Sequence, residues 1–145
     1  MRHITQNGLA LIKQFEGFSA EPYLCPAGYW TIGYGHVIHD PKDYPYSITN
    51  DEALELLSHD IMKAENAVLR LISVPLTNGQ FDALVSFTFN LGSGALQRST
   101  LRRKINRADH ADAPAEFRKW VWAGGKKLNG LVRRRAAESA TYGYG

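Results

Sequence analysis

Apolar residues recur at helical spacing in several separate runs along the chain. Leu9, Ile12 and Phe15 fall roughly on one face, with Thr5 placed to cap the helix, Glu16 to close it and Gly17 to stop it. Ala53, Leu54, Leu57, Ile61, Ala64, Val68 and Leu71 repeat with the same period behind Thr49-Asn50-Asp51-Glu52, a capping box. This predicts a long helix to about Ile72, which Pro75 keeps from continuing. After Thr77, the apolar residues Phe81, Leu84, Val85, Phe87 and Leu91 surround their helix almost completely. That pattern predicts a buried central helix, ended by Gly92-Ser93-Gly94. Ser99 caps a short helix containing Leu101 and Ile105. Pro114 opens another, with Phe117, Trp120 and Val121 facing in and Gly124-Gly125 breaking it. The last helix runs from Leu128 to about Thr141.

Between the first two helices the helical period is lost. From Gly17 to Tyr46 the chain is rich in glycine, proline and aromatics. Tyr23-Leu24-Cys25 and Tyr29-Trp30-Thr31-Ile32 favour strands, and a turn at Pro26-Ala27-Gly28 would fold them into a hairpin. Asp40 to Pro45 reads as a loop leaving this small sheet. One short sheet followed by long helices predicts the α+β class, with strands and helices segregated. A single domain is expected over 1–145, with a β lobe at about 17–48. A helical lobe at about 49–145, together with the N-terminal helix, completes it, and the long helix joins the two lobes.

Composition narrows the function classes. Apolar content is 44%, enough for a core and too much for a disordered chain. The single cysteine cannot form an internal disulfide. Neither a signal peptide nor a membrane-spanning run is evident, so a soluble protein made in the cytoplasm is expected. Net charge is only +3, but it is uneven. Residues 1–97 hold five basic and ten acidic side chains, whereas residues 98–145 hold twelve and four. A basic C-terminal part can approach a polyanion such as nucleic acid, lipid headgroups or an acidic cell wall; the plainer alternative is a solvated helical surface. His3, His39, His59 and His110 are scattered without metal-ligand spacing, so neither a metal nor another cofactor is expected.

The hairpin would bring Cys25 and Thr31 together, facing the carboxylate of Glu16 at the end of the first helix. An acid, a thiol and a hydroxyl would then line one cleft wall. Glycoside hydrolysis needs a proton for the leaving oxygen and, on the opposite face, a group that activates water or attacks the sugar. Glu16 is the candidate acid, with Phe15 and Phe18 offering an apolar pocket that would help it keep its proton. Thr31 can hold a water. An ionised Glu16 at about 8 Å would oppose a thiolate at Cys25 by about 2 kcal/mol at an effective dielectric near 20. Phe89 and Asn90 end the central helix, where an aromatic face and an amide suit a sugar and its N-acetyl group. His36 is assigned a structural role near the site. Of Arg133, Arg134 and Arg135, at least one is expected to pair with an acid of the other lobe and the rest to be solvated.

Eight residues separate Glu16 from Cys25 and five separate Cys25 from Thr31, followed by Gly33-Tyr34-Gly35-His36. This spacing resembles the catalytic signature of phage-type lysozymes, glycoside hydrolase family 24, which use Glu, Asp or Cys, and Thr. Gln80 to Phe87 with Phe89-Asn90-Leu91-Gly92 is similar to the family's central helix. Ser99 to Arg102 and Gly130 to Glu138 are similar to its later helices, so the resemblance covers roughly Ile4 to Tyr142. Cys25 departs from the better-known members, which carry Asp. The resemblance implies a lysozyme-like fold with a cleft between two lobes. It assigns Thr31 the placing of the nucleophilic water, and puts Ser99 and Thr100 on the cleft rim.

The activity implied is that of a muramidase cutting the β-1,4 link between N-acetylmuramic acid and N-acetylglucosamine in peptidoglycan, for phage-driven host lysis. The partners implied are peptidoglycan strands and a holin that opens the way to the wall. The protein would stay in the host cytoplasm until lysis and then act in the periplasm and cell wall. A monomer is expected, with anionic membrane contact open to the basic region and no nucleic-acid role. Two alternatives differ in class: a glycan-binding module without catalysis, and a membrane-active protein working through that basic region. Intact Glu16 and Thr31 favour the enzyme.

Overall fold

The computed structural model describes residues 1–144. Helix α1, Gln6–Glu16, begins where the Thr5 hydroxyl accepts the Gly8 N–H and ends where Gly17 turns to φ 64°. Strands β1 (Ser19–Leu24), β2 (Trp30–Gly33) and β3 (His36–Val37) form an antiparallel sheet in that order. In β1, Tyr23 pairs with Thr31 and Leu24 with Trp30, and the register shifts between Ser19 and Tyr23. Pro22 lies within that irregular stretch, where a missing N–H does least harm to the ladder.

Helix α2, Asn50–Leu71, starts on the expected capping box of Thr49 and Glu52. Its 22 residues reach about 33 Å and pack against the sheet at one end and other helices at the other. Helix α3, Asn78–Leu91, is the central element, and every residue from Phe81 to Thr88 is buried. It packs against α1, α2, α4 (Ser93–Arg98) and α7 (Asn129–Tyr144). Phe87 meets Phe117 and Trp120 edge-on, with ring centroids 5.6 and 5.5 Å apart. Helices α5 (Thr100–Asn106) and α6 (Ala113–Phe117) complete the helical part.

Two stretches differ from the sequence expectation. Gly92-Ser93-Gly94 does end α3, but the chain re-enters a helix at once, with Gly94 inside α4. An interior glycine costs about 1 kcal/mol of helix propensity; burial of Ala95 and Leu96 outweighs it here. Gly124-Gly125 does not simply break a helix. With φ of 58° and 78°, the pair forms the two-residue turn of a hairpin between β4 (Trp122–Ala123) and β5 (Lys126–Lys127). Helix α6 is correspondingly shorter than expected.

Two buried carboxylates fasten the segment that leads into α1. Asp82 of α3 accepts the Thr5 N–H at 3.0 Å and the Thr5 hydroxyl as well. Gly8 makes room for it, since a Cβ there would stand 2.6 Å from the Asp82 carboxyl carbon. Glu65 of α2 accepts the Ile4 N–H at 2.7 Å and contacts His3 at 3.1 Å. Together they fix α1 against α2 and α3, and so fix the place of its last residue, Glu16.

The capping box of α2 is exposed, so its loss removes the cap without opening the core. Thr49→Ala is expected to lower stability by roughly 0.5–2 kcal/mol. Urea denaturation checks this as a lower midpoint with an unchanged slope.

Candidate active site

Glu16 stands where α1 stops, and its carboxylate is not simply sheltered by apolar side chains. Oε2 accepts a short charge-assisted hydrogen bond from Arg134 Nη1 of α7. The expectation of an apolar pocket therefore needs correction. Phe15 stacks with the Arg134 guanidinium at 5.9 Å, and Phe18 packs on Tyr34 at 5.6 Å. On the sheet side the carboxyl group lies against Gly35, φ 76°. A Cβ at Gly35 would come within 2.8 Å of the Glu16 carboxyl carbon, so only glycine fits.

Arg134 is shared. Its Nε lies 3.3 Å from Glu138 Oε2, and its Nη2 reaches the Ser86 carbonyl at 3.4 Å. The Ser86 hydroxyl donates to the same Glu138 oxygen at 2.5 Å. Arg135 Nε approaches the other Glu138 oxygen at 3.2 Å, an ion pair poorly aligned as a hydrogen bond. Burial pushes the Glu138 carboxyl up against the pull of both arginines and Ser86. Burial also pushes Arg135 down to about 10. Both directions record what it costs to keep these charges away from water. Of the three consecutive arginines, Arg134 and Arg135 are buried and Arg133 is exposed. The expected pairing with an acid of the other lobe is not what forms: the acids are Glu16 of α1 and Glu138 of α7 itself, both on the helical side.

Cys25 opens the hairpin turn. Its carbonyl accepts the Gly28 N–H at 2.8 Å, and its own N–H donates to the Tyr29 carbonyl at 2.9 Å. Gly28, at φ 89°, completes a three-residue loop. The first position of such a turn favours a side-chain acceptor for the N–H groups ahead of it. Burial pushes the thiol up, but hydrogen bonds from the N–H groups of Tyr29, Ala27 and Gly28 and from Thr31 outweigh it, holding Cys25 below the ordinary thiol range. The expected penalty from Glu16 is not what decides its charge.

Thr31, 3% exposed, sits beneath this turn. Its hydroxyl has one proton and two acceptors in reach, the Tyr29 carbonyl at 3.0 Å and the Cys25 sulfur. Tyr23, paired with Thr31 across the sheet, links the two sides of the site. Burial raises its phenol, and then the negative charges of Glu16 and Cys25 raise it further, so it lies within electrostatic reach of both. Sequence reasoning missed Tyr23, although strand alternation with Cys25 carried a hint of it. It also missed Glu138 and Ser86, for which no local signal existed.

A cleft of about 350 Å³ opens beside Gly35, lined by His36 and Asp60 on one side and Thr88 and Phe89 on another. It meets the candidate groups through Gly35, next to Glu16; Cys25 and Thr31 are not among its lining residues. His36 Nδ1 contacts Asp60 at 2.7 Å, tying β3 to α2 in the expected structural role. Phe89 lines the cleft as expected. The Asn90 carbonyl oxygen is taken by Arg135, leaving its NH₂ group as the free donor. Ser99 is 2% exposed, with its hydroxyl donating to the Leu96 carbonyl and capping α5. Both bonds of its hydroxyl are thus spent within the helix turn, and Ser99 is not among the residues lining the cleft. Thr100 accepts from Arg103 at 2.8 Å and lies outside the cleft lining.

Comparison with known proteins agrees with this geometry. Residues 13–138 match the family model described as phage lysozyme. An endolysin of Acyrthosiphon pisum secondary endosymbiont phage 1 is 43% identical over 144 residues, 97% of each chain. An endolysin from Escherichia coli O157:H7 phage FAHEc1 superposes with a TM-score of 0.85 at 37% identity, covering 97% of this chain and 93% of that one. The muramidase domain of SpmX from Asticaccaulis excentricus gives 0.84 at 36% identity, covering 97% and 98%. With a family model across most of its length and relatives alike from end to end in sequence and fold, the chain belongs to the phage lysozyme family.

Proposed function

We propose that this lysozyme cuts the β-1,4 bond between N-acetylmuramic acid and N-acetylglucosamine with Glu16 as general acid and Cys25 and Thr31 handling the water. One observation carries the assignment of Glu16. Its carboxyl group is fixed at a helix end by Arg134, against the one residue type that leaves it room, beside an open cleft. Glu16 gives its proton to the glycosidic oxygen as the C1–O bond breaks. Water placed by Thr31 supplies the new oxygen at C1, and its proton passes to the Cys25 thiolate. Solvent then returns a proton to Glu16 and removes one from Cys25. Phe89 offers its ring, and Asn90 its NH₂ group, to the glycan in the cleft.

Among the described residues no helix is long and apolar enough to cross a membrane. Access to the wall through a holin, with the protein held in the host cytoplasm until lysis, belongs to the same proposal. So does action as a monomer. The basic side chains Arg98, Arg103, Arg107, Arg118, Lys119, Lys126, Lys127 and Arg133 are exposed, which suits steering toward an anionic wall or membrane.

Glu16→Gln keeps the size of the side chain and removes the transferable proton. Hydrolysis of purified peptidoglycan is expected to fall by at least about 10²–10⁴-fold with the fold intact by circular dichroism. Near-normal release of reducing sugar by this variant would end the mechanism. For Cys25, the rate of alkylation by iodoacetamide against pH should give a midpoint below the free-thiol value of about 8.5. Thr31→Val should raise that midpoint, and a midpoint at or above the ordinary value removes the thiolate from the scheme. Steering is checked with salt. Activity on permeabilised cells should fall between low and physiological ionic strength, where the screening length shortens to about 8 Å. Activity on short neutral oligosaccharides should change much less.

A further inference from the structure

The arrangement around Arg134 raises a problem for the acid. A carboxyl group that must deliver a proton is bonded to a buried guanidinium, which by itself favours the ionised form. The guanidinium has a second client on its other edge. Arg134 Nη1 serves Glu16 while Nε, 3.3 Å from Oε2, serves Glu138, and both carboxylates draw on one charge. Glu138 is fully buried, so water cannot screen it. The Ser86 hydroxyl at 2.5 Å holds its oxygen toward Arg134.

We propose that Glu138 is a positioning residue for the glycosidase reaction: by holding the far edge of Arg134 it limits the positive charge that Glu16 feels, and so lets Glu16 carry a proton in the working pH range. The inference rests on the assignment of Glu16 as the acid. Glu138 touches no substrate and acts through Arg134. Two effects of its charge have the same sign. It takes up part of the guanidinium's charge on the edge away from Glu16, and it is itself a negative charge one residue further along the same network. Arg135, on the other face of Glu138 and with Nη2 on the Asn90 carbonyl, is a second cation in the network and acts on Glu16 electrostatically as well, so with Glu138 neutralised two positive charges would face Glu16 instead of a balanced cluster.

Other groups facing this network bear on Glu16 less directly. Tyr23 and Cys25 come from the hairpin, within electrostatic reach. On its own helix Lys13 is turned over the Tyr34 ring, 5.6 Å away. From α2, Asp60 is occupied by His36. On α3, Asp82 is engaged by Thr5. From α6, Glu116 is held by Lys104 and Lys119 at 3.1 and 2.9 Å. None of these touches Arg134 or Glu138 in the hydrogen-bond network of the described residues.

The test is Glu138→Gln, which keeps the shape and removes the charge. The readout is the titration of the Glu16 carboxyl carbon by ¹³C NMR in glutamate-labelled protein, assigned by its disappearance in Glu16→Gln. The midpoint should move to lower pH by on the order of one unit. The alkaline side of the kcat/KM profile on soluble peptidoglycan fragments should lose activity, and Glu138→Asp should restore part of it. A purely structural role would lower stability and total activity without moving the Glu16 midpoint, and an unmoved midpoint overturns the proposal. If the single variant does not fold, Arg135→Gln combined with Glu138→Gln removes one charge of each sign. Arg135 also acts on Glu16 directly, so the double variant is compared with Arg135→Gln alone: the midpoint of the double variant should be the lower of the two, and equal midpoints overturn the proposal. An active Glu16→Gln would instead remove the assignment of the acid itself.

Discussion

The Arg134 guanidinium, with a side chain only 4% exposed, cannot be solvated and must be neutralised by the protein. It joins the end of α1 to α7 and α3 through Glu16, Glu138 and Ser86. Burying charges is expensive, and removing one partner of such a pair typically costs about 3–5 kcal/mol, because the other is left unpaired. A cluster like this is a poor way to gain stability compared with apolar packing. What it supplies is a carboxyl group whose position is set by the fold. Helix α7 is therefore more than a covering layer. It carries the cation on which the geometry of the acid depends.

The hairpin solves a related problem by backbone means. A turn that starts at residue 25 leaves several N–H groups pointing at the side chain of that residue. Any short acceptor there is stabilised as an anion, which suits a thiol at this position. No cationic side chain is required, and none contributes to holding the Cys25 thiol down. The two halves of the site are thus electrostatically different. Glu16 is answered by a buried cation, whereas Cys25 is answered by amide dipoles of its own turn.

Between them, α1 must not move. Its N-terminal approach is held by Asp82 and Glu65, two buried acceptors on different helices, and its C-terminal end by Arg134 and the glycine at position 35. Helix α2 holds the sheet to the helices through His36 and Asp60.

Much of this was legible in the sequence, where the signal is local. Thr5, Thr49 and Thr77 cap helices that begin at the next residue, because a cap is a bond between near neighbours. The buried central helix follows from apolar residues on all its faces, and the hairpin turn from Pro26 and Gly28. The spacing of Glu16, Cys25 and Thr31 marked the candidate site through its resemblance to the signature of phage-type lysozymes. Where local signals compete, sequence reasoning chose the commoner outcome. Two adjacent glycines read as a helix break, although their left-handed φ values also suit a tight hairpin turn. Ser99 read as a rim residue, although it serves as a buried cap. The partners of charged groups lie furthest from local reach. Arg134 meets Glu16 across 118 positions, and Ser86 meets Glu138 across 52. Which of three consecutive arginines turns inward, and which carboxylates await it, depends on how α7 rotates against α3. The sequence by itself determined the helices, the hairpin and the reactive residue types; only tertiary packing decided their charges' partners, because an ion pair is made by proximity in space and leaves no periodic mark along the chain.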